Sequence, residues 1–106
     1  MRSIRRGTKA DVPFLRALEA AAFEPHRRSS PAVLRRHFAS PRQTVWILDD
    51  AALVLWNHKQ FLRLYSLAVH PDAQGKGLGA ALMQHAHELA KKEGKKTVLE
   101  VEATNQ

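Results

Sequence analysis

The stretch LYSLAVHPDAQGKGLG, residues 64–79, decides how the rest of the chain reads. Leu64 to Val69 is apolar enough for a buried strand, Pro71 stops it, and an apolar stripe at helical spacing begins at Leu78. Gly75, Gly77 and Gly79 fall between, so the order is strand, polar turn, glycine-rich helix opening. A helix N-terminus exposes N–H groups that no carbonyl of its own helix reaches, and the aligned peptide dipoles add about half a positive charge there. Glycines keep side chains away from those donors, so a phosphate or pyrophosphate fits.

Val69-His70-Pro71 followed by Gln74-Gly75-Lys76-Gly77-Leu78-Gly79 resembles the coenzyme A signature of the GNAT superfamily of N-acetyltransferases, V-x-P and then Q/R-x-x-G-x-G/A. Leu99-Glu100-Val101 and Asn105 are similar to the next strand of that family and the asparagine after it, and Ile4 to Asp11 matches its opening more loosely. The resemblance implies an α/β fold: a mixed sheet of about five strands with an antiparallel meander, two N-terminal helices and a β-α-β coenzyme A-binding unit. It also implies acetyl-CoA as cosubstrate and a primary amine as acceptor: a protein N-terminus, a lysine or a small molecule.

Residue by residue, the resemblance makes the main chain of Gln74, Gly75, Lys76, Gly77, Leu78, Gly79 and Ala80 the pyrophosphate cradle. It has the strand backbone at Leu67, Ala68 and Val69 hold the pantetheine arm, and Asn105 bond cofactor or backbone at a strand end. Glu100 matches the glutamate of similar ribosomal-protein N-terminal acetyltransferases and is expected to take the amine's proton, directly or through water. Glu102, on the same strand face, is its rival, and an exposed strand residue is the plain alternative for either. In the family the segment between the first two helices helps form the acceptor site, which brings in Glu24 and His26, both otherwise ordinary loop residues.

Other readings of the glycines compete. Gly75 to Ala80 also fits G-x-G-x-x-A, with Glu100 and Glu102 at the distance a dinucleotide-binding unit wants. Against it, His70 to Gln74 separate strand from first glycine where that unit needs a tight turn, and the preceding chain reads as hairpins. A purely structural glycine turn is the remaining alternative. A Walker loop is excluded, since Gly-Lys-Ser/Thr is absent.

The 106 residues, 44% of them hydrophobic, suffice for one domain with a modest core. No cysteine is present, which excludes disulfides and thiolate metal sites, and no apolar run is long enough to span a membrane. A cytoplasmic protein is the expectation. The net charge of +7 is spread over Arg2 to Lys9, Arg27 to Arg42 and Lys91 to Lys96, with few interleaved aromatics. That pattern speaks for solvated faces and attraction of a polyanionic cofactor rather than for nucleic acid.

Along the chain, Ser3 to Arg6 is a short strand. A first helix follows to about Phe23, capped either by Thr8, three residues before Asp11, or by Asp11 itself with Pro13 in the first turn; Leu15, Leu18 and Ala22 face inward and Arg16 and Glu19 flank them. Ser30-Pro31 starts a second helix carrying Leu34 and Phe38. Thr44 to Leu48, Ala51 to Trp56 and Phe61 to Val69 form a meander, with a bulge near Ser66 or Leu67 because the alternation of faces falls out of phase there. The helix from Gly77 to about Glu93 buries Leu78, Leu82, Ala86 and Leu89 and stops at Gly94. His85 and His87, two apart, fall on different sides of that helix and do not share a metal. Thr97 to Glu102 is a last strand parallel to Phe61 to Val69.

Members of the family continue past the asparagine with a helix, often carrying the tyrosine that protonates the departing thiolate, and two more strands. The sequence given ends at Gln106, and Tyr65 does not match that tyrosine. The expectation is therefore a single domain over residues 1–106 without that helix and those strands, as a piece of a longer protein, a natively short one or one completed by a partner. An uncovered edge at Thr97 to Glu102 then points to a homodimer or edge pairing. A non-catalytic coenzyme A-binding or assembly module is the alternative function, and nucleic-acid binding a third.

Overall fold

A computed structural model of the chain describes residues 3–99. Its five strands, β1 (Arg5–Arg6), β2 (Gln43–Leu48), β3 (Ala51–Asn57), β4 (Phe61–Val69) and β5 (Lys96–Leu99), lie side by side in sequence order. Neighbours are antiparallel except β4 and β5, which run parallel. Three helices flank the sheet: α1 (Val12–Ala22), α2 (Pro31–Ala39) and α3 (Leu78–Lys92). The mixed α/β architecture expected from the sequence is the one observed. Asp49-Asp50 makes the β2–β3 hairpin turn, with Asp49 at φ 50°. The expectation of edge pairing concerns residues 97–102, of which 100–102 lie outside the described residues.

The sheet carries a separate apolar layer on each face. On one side Leu48, Leu53, Leu55, Leu62 and Leu64 pack with Leu78, Leu82, Ala86 and Ala90 of α3. On the other, Val45, Ile47, Ala52, Val54 and Ala68 meet Leu15 and Leu18 of α1 and Leu34 of α2. The stripe buried along α3 is thus a strict four-residue repeat ending at Ala90, whereas Leu89, expected inside, is only half-buried.

A one-residue bulge in β4 makes this two-faced packing possible. Leu55 pairs with Leu64 but Val54 pairs with Ser66, leaving Tyr65 as the extra residue. Before the bulge the even-numbered Leu62 and Leu64 face α3; after it the odd-numbered Leu67 and Val69 do. The phase break legible in the sequence has this cause, with the extra residue one position earlier than Ser66.

Both candidate caps of the first helix stand at N-cap positions, although Asp11 makes no side-chain capping bond to α1. Thr8 opens a short 3-10 turn, Lys9–Asp11, and Asp11 is the residue before α1, with Pro13 in its first turn. The Asp11 carboxylate accepts from the Thr8 N–H at 2.8 Å and from both terminal nitrogens of Arg5 at 2.8 and 3.0 Å. The Arg5 guanidinium first, then the Thr8 amide, hold its pKa down to about 2. A carboxylate with a depressed folded-state pKa contributes stability that is complete above its unfolded pKa and disappears as pH falls through the folded one. Acid titration is therefore expected to show a loss between about pH 4 and 2 that is absent in Asp11→Asn, measured as the thermal midpoint against pH.

Glu19 departs from expectation. It is buried, and its carboxylate accepts from the Ser29 N–H at 2.6 Å and the Ser29 hydroxyl at 3.0 Å, tying α1 to the α1–α2 loop. Its place four residues after Leu15 was the available signal.

Candidate functional site

The segment after β4 is shaped by two left-handed glycines. A 3-10 turn at Pro71–Ala73 follows the strand, with the Asp72 N–H donating to His70 Nδ1 at 3.1 Å. Gly75 has φ 85° and Gly77, which immediately precedes α3, has φ 78°. A Cβ placed on either would meet nothing within 4 Å, so the backbone conformation, not crowding, calls for glycine here. At Gly79 a Cβ would touch Val69 and Leu67 at 3.6 and 3.7 Å, which fixes the start of α3 directly against the end of β4.

The first hydrogen bond inside α3 runs from the Ala81 N–H to the Gly77 carbonyl at 3.0 Å. The N–H groups of Leu78, Gly79 and Ala80 accordingly have no acceptor among the described residues, and they share the positive end of a fifteen-residue helix. The other end is closed: Gly94, at φ 68°, donates to Lys91 O at 3.1 Å and Lys95 N–H to Ala90 O at 2.8 Å, with Lys91 and Lys92 in the last turn. A depression of about 360 Å³ lies over the open end, lined by Val69, Ala73, Gln74, Gly75, Gly77, Leu78, Gly79 and Ala80. Leu78 presents only its amide, because its side chain is 2% exposed and belongs to the core.

The strand leading into this depression has a definite polarity. The His70 N–H donates to Asp50 O at 2.9 Å, and Val69 sits opposite Ala51. In an antiparallel pair, hydrogen-bonded and non-bonded residues alternate. Ala68 and Ser66 therefore turn their N–H and C=O toward β3, whereas Val69 and Leu67 turn theirs away from it. Ala68, expected alongside them, turns its main-chain groups toward β3 instead. On the outer side β5 accompanies β4 only along Phe61 to Leu64, opposite Lys96 to Leu99, among the described residues. Among the described residues, the unpaired main-chain edge and the open helix end thus form one continuous track. Glu100 and Asn105 lie outside the described residues.

The remaining candidates stand apart from this track. Glu24 and His26 are exposed, with His26 inside a 3-10 turn, Pro25–Arg27. His85 packs edge-on to Trp46 with centroids 4.4 Å apart, and burial lowers its pKa, while His87 Nδ1 sits 3.2 Å from Thr97 Oγ1. Among the described residues no cluster of histidine and carboxylate side chains could hold a metal ion, and no helix is long and apolar enough to cross a membrane. A pair that the sequence reading missed is His37 of α2 and Gln43 of β2, both buried, with His37 Nδ1 and Gln43 Oε1 2.6 Å apart. Polar residues at the junction of two elements carried no periodic signal to reveal it.

Comparison with solved structures finds the same architecture repeatedly. The ribosomal-protein-S18-alanine N-acetyltransferase from Escherichia coli superimposes with a TM-score of 0.84 at 27% identity, covering 99% of this chain and 70% of that one. A ribosomal-protein-alanine N-acetyltransferase from Brucella melitensis biovar Abortus 2308 gives 0.76 at 16% identity, covering 97% and 82%. An aminoglycoside N-acetyltransferase solved in complex with CoA gives 0.77 at 13%, covering 99% and 80%. No curated protein matches the sequence. The model of the Acetyltransferase (GNAT) family matches residues 12–106, which include the whole track from β4 into α3, and the chain belongs to that family.

Proposed function

We propose that the protein transfers an acetyl group from acetyl-CoA to a primary amine. The observation that carries this reading is the continuity of the outward-facing main chain of Leu67 and Val69 with the unpaired amides of Leu78, Gly79 and Ala80. The donor set fits the molecule: amides at a positive helix end suit a diphosphate, and a strand edge suits an amide-containing arm. When bound, the cosubstrate supplies an acyl group activated as a thioester. The main chain of Gln74 to Ala80 is assigned the phosphates, with Lys76 adding positive charge at the rim.

The acceptor must lose a proton before it can attack, since a lysine amine titrates near ~10.4 and an α-amine near ~8. Glu100 is assigned the base. It follows Leu99, which lies beside Leu64 next to the bulge where the arm would end. Glu100→Gln is expected to lower kcat about 100-fold or more with little change in coenzyme affinity, because only proton removal is lost. A Glu100→Gln enzyme with undiminished kcat would transfer the role elsewhere.

The test of the function itself pairs calorimetric titration with acetyl-CoA and mass measurement of acceptor amines after incubation. Saturable binding with an acceptor heavier by one acetyl group supports transfer. Binding without product on peptide, lysine and aminoglycoside amines selects a coenzyme-binding module, and absence of binding rejects both.

A further inference from the structure

Just before the bulge, the face of the sheet opposite α3 carries an arginine with no partner of opposite charge among the described residues. Leu62 and Leu64 are buried under α3, so Phe61 and Arg63 project from the other face, where Trp56 and His58 of the adjoining β3 end join them. Arg63 Cζ lies 5.7 Å from the centroid of Trp56 and 5.9 Å from that of Phe61. His58 stacks on Phe61 at 4.3 Å, and Tyr65, 38% exposed at the bulge, meets Trp56 edge-on at 5.7 Å. The guanidinium is thus fixed between two rings, yet its Nε is buried without a hydrogen-bond partner. Among the described residues no carboxylate pairs with it. The parallel register sets exposed Lys96 on the same face, opposite Phe61.

We infer that Arg63 anchors a carboxylate on the acceptor, so that the preferred substrate is a primary amine carrying an acidic group about 7 Å, two strand residues, from the reacting nitrogen. This rests on the acetyl-transfer reading above, because the track fixes where the acceptor enters. An arm running from the α3 end back along Val69 and Leu67 reaches the bulge at Tyr65, and β5 closes the strand gap at Leu64. One face there is filled by α3; on the other Tyr65 is 38% exposed, with His37 of α2 edge-on to it at 5.5 Å, and the amine is taken to enter beside Tyr65, Trp56 and Arg63. A planar cation held by aromatic faces keeps its fork in one orientation at low entropic cost, which suits a bidentate carboxylate. The same positive face repels a second amine or a guanidinium on the acceptor.

The test uses two short peptide amides that differ only at the second residue, alanyl-glutamyl and alanyl-glutaminyl. Calorimetry measures their binding to the protein with coenzyme A, and steady-state assays with acetyl-CoA measure kcat and KM. The glutamyl peptide is expected to bind about 10- to 100-fold more tightly. Arg63→Gln should remove that preference while leaving Kd for coenzyme A and KM for the glutaminyl peptide unchanged, and Arg63→Lys should restore part of it. Equal binding of the two peptides by the unaltered protein overturns the inference, as does an Arg63→Gln variant that loses kcat equally on both. Failure of the underlying function shows differently: neither peptide is acetylated, while the binding preference is still measurable and still decides the role of Arg63.

Discussion

Replacing Gly77 by glutamate is expected to weaken coenzyme A binding about 100-fold or more without unfolding the protein. The residue immediately precedes α3 at φ 78°, and a Cβ placed there meets no atom within 4 Å apart from its chain neighbours. A glutamate would therefore extend over the amides of Leu78, Gly79 and Ala80, adding a negative charge where phosphates are to lie and offering those amides an internal acceptor. Part of any loss would come from backbone strain, since a left-handed non-glycine residue costs about 1 to 3 kcal/mol. Gly77→Asn separates the two effects, because asparagine tolerates this conformation and carries no charge. Asparagine is expected to cost a few-fold in affinity and glutamate far more, at matched melting temperatures, by calorimetry and circular dichroism. Equal affinities for the two variants would remove the helix end from the binding site.

Leu82→Ala is expected to cost about 3 to 5 kcal/mol, the largest effect on stability from a single side chain of α3. Leu82 is fully buried between α3 and the sheet, among Leu53, Leu55 and Leu64, which are equally inaccessible. Removing its branch leaves a void that rigid strands on one side and a fifteen-residue helix on the other cannot collapse to fill. Against a net stability of about 5 to 15 kcal/mol for a domain, that is a large fraction, and the thermal midpoint should fall by about 15 to 30 °C. Leu82→Met, which conserves volume, should cost under about 1.5 kcal/mol. A midpoint lowered by only a few degrees in Leu82→Ala would mean that α3 is not seated on the sheet. The consequence reaches the site, because the same seating sets Gly79 against Val69 and Leu67.

What the sequence revealed, and what it hid, divides along physical lines. The strand-turn-helix order around Pro71 and the three glycines was legible because proline and left-handed glycine are local constraints, independent of the rest of the fold. The meander and the phase break in β4 were legible from period-2 alternation, since one extra residue moves every later side chain to the other face. The bulge position was misplaced by one residue because Tyr65 and Ser66 are both compatible with either face. Glu19 was read as flanking the buried face and His37 was not singled out, but partners ten and six residues away, Ser29 and Gln43, satisfy them inside. Such pairings are properties of the folded chain and leave no periodic trace.

The same distinction holds within the site. Glycine spacing pointed to the helix end, and the hydrogen-bond phase set by His70 and Asp50 turns the main chain of Leu67 and Val69, unlike that of Ala68, away from β3. Arg63 stands among apolar residues of its strand, and the Trp56 and Phe61 rings from β3 and β4 are what mark it as a held cation. Glu100 and Asn105 rest on the resemblance of residues 99–105 to the family.

Backbone amide resonances recorded during titration with coenzyme A examine the central claim most directly, because they report on the donors themselves. The largest shifts are expected at Leu78, Gly79 and Ala80, with Gly75, Gly77, Leu67 and Val69 following and Ala68 nearly still. Saturable binding that leaves the amides of Leu78 to Ala80 unmoved would contradict it.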